Sequence, residues 1–82
     1  MARGIVRYSL EADYGSKFTN QVRGALEARG FEREGRTAAL EVRGASLADV
    51  VEAVQEALEV LKRLDAPVDL DHVWVYIDGA VD

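Results

Sequence analysis

The sequence predicts an α+β domain in which two helices cover one face of a four-stranded antiparallel sheet. Segments near the two ends of the chain alternate apolar and polar residues with the period of a strand. Two other segments repeat apolar residues with the period of a helix, and the stretch between them is typical of a β-hairpin. In chain order these elements give βαββαβ, the ferredoxin-like order, in a single domain of residues 1–82.

The first half of the chain supplies a strand over residues 4–10 and a helix over residues 16–29. Ser16 is the predicted N-cap of this helix and Gly30 its C′ glycine. Gly24 inside the helix predicts either close packing on the sheet or a position that no contact requires. The apolar stripe of the helix consists of Phe18, Val22, Ala25 and Leu26.

The middle of the chain predicts a hairpin with strands over residues 31–34 and 37–43. A second helix then begins after Ser46, with Asp49 in the position of a capping box. Its apolar residues recur every three or four positions as far as Leu64, which makes it the strongest helical pattern in the chain. The last strand is predicted over residues 71–78.

The alternation along the strands divides the sheet into two faces. One face is apolar and is expected to form the core beneath the helices, with Val6, Tyr8, Leu10, Leu40, Val42, Val73, Val75 and Ile77. The other, called the open face here, is expected to carry Ile5, Arg7, Ser9, Ala39, Glu41, His72, Trp74 and Tyr76. Two aromatic residues on an uncovered face depart from the usual polar exterior of a sheet.

Composition narrows the classes of function. Residues 1–43 carry a net charge of +2 and residues 44–82 one of −7, for −5 overall, which argues against general nucleic-acid binding. The chain has no cysteine, so it has no disulfide and no thiolate metal site, as expected for a cytoplasmic protein. The first residues are expected to enter a strand directly, without a signal peptide, and no apolar run is long enough for a membrane span.

The open face is the first candidate site. Trp74 and Tyr76, with Ile5 and Arg7 beside them, predict either a homodimer interface or a platform that stacks RNA bases or holds a small ligand. Dimerisation is favoured because the chain is short, its net charge is negative and Arg7 is the only cation expected beside the two rings. Association with a different protein is a further alternative.

Acidic residues form the second candidate. Glu11 and Asp13 follow the first strand, and paired carboxylates there would hold Mg²⁺ for phosphodiester cleavage. Asp69, Asp71 and Asp78 of the last strand belong to the same candidate group. The alternative is a set of solvated loop charges. His72, the only histidine, is either a general base or a strand residue satisfied by a neighbour. No metal or cofactor is predicted outside this nuclease alternative.

Basic residues form the third candidate. Arg29 lies at the end of the first helix, and Arg33 and Arg36 flank the hairpin turn, so the three are placed to contact phosphates as a small patch. Glutamates are interleaved with them along the chain, which favours ordinary surface ion pairs instead.

Three segments resemble a known family, the CRISPR-associated small endoribonucleases and the related virulence-associated protein D group. They are the first strand at residues 5–10, the run at residues 30–33 with the strand at 37–42, and the last strand at residues 71–77. The resemblance implies a ferredoxin-like homodimer, with metal-dependent cleavage of RNA or DNA in some members.

One position departs from that family. Its metal-binding aspartate follows a tyrosine-like position at the end of the first strand, whereas here Tyr8 is followed by Ser9. Nuclease activity would therefore require Glu11 or Asp13 to replace it. The sequence accordingly predicts a homodimeric cytoplasmic domain that acts through protein association, with the nuclease and the RNA- or ligand-binding module as alternatives.

Overall fold

The computed structural model describes residues 1–11, 17–35, 39–64 and 68–79. The sheet is antiparallel with the strand order β2-β3-β1-β4, and both helices pack on the same face, as the sequence predicts. The elements in chain order are β1 (Ala2–Glu11), α1 (Lys17–Glu27), β2 (Glu32–Arg33), β3 (Ala39–Gly44), α2 (Leu47–Lys62) and β4 (Asp69–Asp78).

The strands differ in length from the prediction because of their places in the sheet. β1 is central and pairs with β3 on one side and β4 on the other, which extends it to Ala2 at its start. β4 begins two residues early, at Asp69, which pairs with Glu11. β2 is an edge strand of only two residues, and Arg36, predicted to flank the hairpin turn, lies outside the described residues.

α1 ends in the glycine motif that the sequence predicts. Gly30 has φ 93°, a conformation that glycine adopts without steric cost. Its N–H donates to the carbonyl of Glu27 at 3.1 Å, and the N–H of Phe31 donates to that of Leu26 at 3.1 Å, the pattern of a Schellman motif. The predicted N-cap, Ser16, lies outside the described residues.

Gly4 and Gly24 differ in how closely neighbouring side chains approach them. A Cβ added at Gly4 of β1 would lie 2.9 Å from methyl groups of both Val50 and Val54, so α2 rests directly on the backbone there. A Cβ added at Gly24 of α1 would meet no atom of the described residues within 4 Å. Close packing on the sheet is therefore the wrong explanation of Gly24, and its position requires no contact.

α2 begins at the predicted cap. The hydroxyl of Ser46 accepts a hydrogen bond from the N–H of Asp49 at 3.2 Å, and Ser46 is extended with φ −135°. This bond satisfies one of the amides that a helix leaves unpaired in its first turn. Among the described residues, neither helix is long and apolar enough to cross a membrane.

The core lies between the sheet and the two helices. From the sheet, Val6, Tyr8, Leu40 and Val42 are buried, and α1 and α2 contribute residues such as Leu26 and Val54. The apolar residues of β4 are only partly buried against this core, because β4 lies at the sheet edge. The predicted core face is confirmed.

Candidate functional site: the open face

The pairing of β1 with β4 brings the predicted residues of the open face together. Ile5 lies opposite Tyr76, Arg7 opposite Trp74 and Ser9 opposite His72. All six side chains point away from the helices, because residues on the same face of a sheet alternate along each strand. The open face therefore has an aromatic half, formed where β4 meets β1.

Two aromatic rings dominate that half. The side chains of Trp74 and Tyr76 are 52% and 41% exposed, although Val73 and Val75 on the same strand pack against the core. The ring centroids are 6.1 Å apart and the ring planes differ by 7°. The two rings stand parallel because their residues are two positions apart on one strand, and both present apolar surface to the solvent.

Beside the rings lies a shallow depression lined by Arg7, His72 and Trp74, with a volume of about 320 Å³. Nδ1 of His72 lies 3.1 Å from Oδ2 of Asp71, so this imidazole has the neighbouring partner that one interpretation of the sequence predicted. Both side chains of the pair are exposed, so the contact adds little to stability. The depression combines a cation, an imidazole and an indole.

Sequence reasoning did not place two arginines, Arg3 and Arg43, on the open face. Arg3 belongs to the extended start of β1 and lies between Arg43 of β3 and Asp78 of β4. Its Nε is buried and has no hydrogen-bond partner among the described residues, whereas Nε of Arg43 lies 2.6 Å from Oε1 of Glu41. Continuing the alternation of β1 two residues toward the N-terminus would have placed Arg3 on this face.

The acidic residues occupy both ends of β4. Glu11 pairs with Asp69 at one end, and Asp71 is close by, whereas Asp78 lies at the other end opposite Arg3. No three acidic or histidine side chains among the described residues are placed to hold a metal ion. Asp13, the other predicted ligand, lies outside the described residues, so metal binding stays a prediction.

The predicted basic patch is divided between two depressions. Arg29 donates to the carbonyl of Ala25 at 2.8 Å and lines a depression with acidic residues of α2. Arg33 lines another, near the hairpin, in which Arg43 is accompanied by three glutamates. Arg36 lies outside the described residues. The surroundings of Arg29 and Arg33 are thus mixed in charge, and phosphate binding there stays a prediction.

Comparison of the chain with protein-family models, with curated proteins and with solved structures found no match. The resemblance to the CRISPR-associated and virulence-associated group therefore stays a prediction. Ser9, which the predicted resemblance places at that family's aspartate position, lies on the open face opposite His72.

Proposed function

We propose that the chain is a homodimeric association domain of the cytoplasm and that its interface buries Trp74 and Tyr76 of the open face. The observation that carries this proposal is the exposure of both rings, side by side, on a sheet face that the described helices leave uncovered. Tryptophan and tyrosine are enriched in protein interfaces and in the small groups of residues that supply most of the binding energy.

Two properties of the chain support a second copy as the partner. A domain of 82 residues buries only about 60–65% of the surface of its unfolded chain, so burial in a dimer adds a useful share of stability. The open face also carries both charge signs, with Arg3 and Arg7 near Glu41 and Asp78, and such a surface is suited to a symmetric copy of itself. The lack of cysteine supports the cytoplasmic location.

The test is sedimentation of the wild type and Trp74→Glu over a range of concentrations. We expect a wild-type dimer at micromolar concentration and a monomer for Trp74→Glu, because the substitution places a charge where an apolar ring is buried. Leu58→Glu is the matched control, since Leu58 is an exposed apolar residue of α2, outside the open face. It should sediment as the wild type does.

Two results would contradict the proposal. One is a wild-type protein that remains monomeric throughout the micromolar range. The other is a dimer that Leu58→Glu dissociates and Trp74→Glu does not, because the interface would then lie on the helical side of the molecule.

A second candidate function is binding of single-stranded RNA or a planar ligand, and the depression of Arg7, His72 and Trp74 favours it. Exposed rings stack on bases, and arginine adds attraction to phosphate. Fluorescence titration of Trp74 with short RNA oligomers at low salt tests this. Quenching of Trp74 fluorescence that saturates in the wild type and disappears in Arg7→Ala would support binding. Fluorescence that does not change with RNA, at protein concentrations low enough for the chain to be monomeric, would exclude it.

A further inference from the structure

The outer edge of β4 adjoins the open face, because Trp74 and Tyr76 of that face belong to β4. β4 is the last strand of the sheet and pairs along its length with β1 on one side. Within the described residues, no strand pairs with its other side. An exposed edge of this kind presents backbone N–H and C=O groups that readily pair with another strand.

Alternation of the hydrogen bonds shows which residues present those groups. The N–H of Glu34 donates to the carbonyl of Ala39 at 3.0 Å, so the backbone of Ala39 is directed toward β2. In an antiparallel sheet the next residue, Leu40, is then directed toward β1 and its partner there, Val6. It follows that the neighbours of Val6 along β1, Ile5 and Arg7, are directed toward β4.

The same alternation continues onto β4. Tyr76 and Trp74 are the partners of Ile5 and Arg7, so their amides and carbonyls bond to β1. The backbone N–H and C=O groups of the residues between and beside them are directed away from β1. The free backbone groups at the edge therefore belong to Val73, Val75 and Ile77.

The two ends of this edge carry features that hinder pairing with another strand, whereas its middle is regular and apolar. Ser9 pairs with His72 and Leu10 with Leu70, so Asp71 is the extra residue of a β-bulge. Bulges and charged residues are the usual means by which proteins keep edge strands from pairing. From His72 to Asp78 the strand is regular and has five consecutive apolar or aromatic residues, which makes this segment fit for a partner strand.

We propose that a second copy of the chain pairs with this segment, antiparallel to it and centred on Val75, so that two sheets become one of eight strands. The inference rests on the proposed homodimer and specifies how its two subunits meet. A twofold axis through Val75 is the one that uses the whole regular segment from His72 to Asp78, because Val75 is its middle residue.

The side chains are complementary in this register. Trp74 lies opposite the partner's Tyr76, and His72 lies opposite the partner's Asp78, which provides two aromatic pairs and two polar pairs per dimer. Both are non-hydrogen-bonded pairs, in which side chains approach most closely. A shift of one residue would place backbone groups that are directed toward the partner opposite groups of the partner that are directed toward its own β1. A shift of two in one direction would place Asp78 against the partner's Leu70, beyond the bulge. In the other direction it would carry His72 past the partner's last strand residue, Asp78.

Amide exchange measured by NMR at several concentrations tests the edge directly. We expect the amides of Val73, Val75 and Ile77 to exchange at least about tenfold more slowly once nine-tenths of the chains are dimeric, because exchange then requires dissociation. The amides of Trp74 and Tyr76 bond to β1 and should be protected at every concentration.

The failures of the two proposals give different results. A dimer in which the amides of Val73, Val75 and Ile77 exchange as in the monomer would overturn edge pairing. The proposal of a homodimer would stand, and packing of two open faces against each other would be the arrangement consistent with it. A monomer at every concentration would overturn both proposals.

Disulfide cross-linking tests the register, because the chain has no cysteine of its own. In the proposed dimer, residue 72 lies opposite the partner's residue 78, with Cα atoms about 4.5 Å apart, within reach of a disulfide. A mixture of His72→Cys and Asp78→Cys should form a covalent dimer under oxidation. Each variant alone should not, since equivalent residues are then about 20 Å apart. A sedimenting dimer without this cross-link, or with cross-links in either variant alone, would overturn the register.

Discussion

The two faces of the sheet differ in where their apolar residues find contacts. On the core face, Val6 and Leu40 are buried by α1 and α2 of the same chain. On the open face, Trp74 and Tyr76 are about half-exposed and their rings stack on each other. Folding therefore depends on the core face, whereas association is proposed for the open face, so substitutions on the two faces should affect different measurements.

The largest expected effect separates the two faces directly. Leu40→Ala removes a side chain that is 2% exposed and should lower the free energy of unfolding by about 2–5 kcal/mol, because the cavity cannot fill completely. Ile5→Ala on the open face is the matched variant. Its cost should be smaller, because Ile5 is only partly buried. Urea denaturation at two protein concentrations checks both values.

Equal losses in the two variants, independent of concentration, would contradict this division of roles. Ile5 would then contribute to the fold of the monomer as Leu40 does.

A smaller effect is expected where α2 touches the sheet. Gly4→Ala places a methyl group 2.9 Å from both Val50 and Val54, and the helix must shift to accept it. We expect a loss of about 1–3 kcal/mol, the usual cost of overpacking a core. Thermal unfolding monitored by circular dichroism checks this. An unchanged midpoint would mean that α2 can move away from β1 without loss.

The core face was predictable from sequence because periodicity alone determines which residues lie together. The alternation of β1 and the three- and four-residue spacing of α2 identify Val6, Val42 and Val54 without knowledge of their partners. Capping was predictable for a similar reason, since Ser46 bonds to an amide three residues away.

The open face was only partly predictable, because its composition depends on where the strands end and on how they pair. The strand was expected to begin at residue 4, so Arg3 was not placed on this face. No pattern in the sequence indicates that its Nε is buried. The bulge at Asp71 arises from the pairing of Leu10 with Leu70. Strand pairing between residues sixty positions apart leaves no local pattern to identify it.

The smallest expected effect concerns the solvent-facing surface of α1, where Gly24 contrasts with Gly4. Gly24→Ala should stabilise the domain by about 0.5–1 kcal/mol, because the added methyl group meets no described residue within 4 Å and alanine loses less backbone entropy in a helix. Urea denaturation of Gly24→Ala beside Gly4→Ala should therefore give midpoints displaced in opposite directions. A lower midpoint for Gly24→Ala would mean that this surface of α1 is occupied by a contact beyond the described residues.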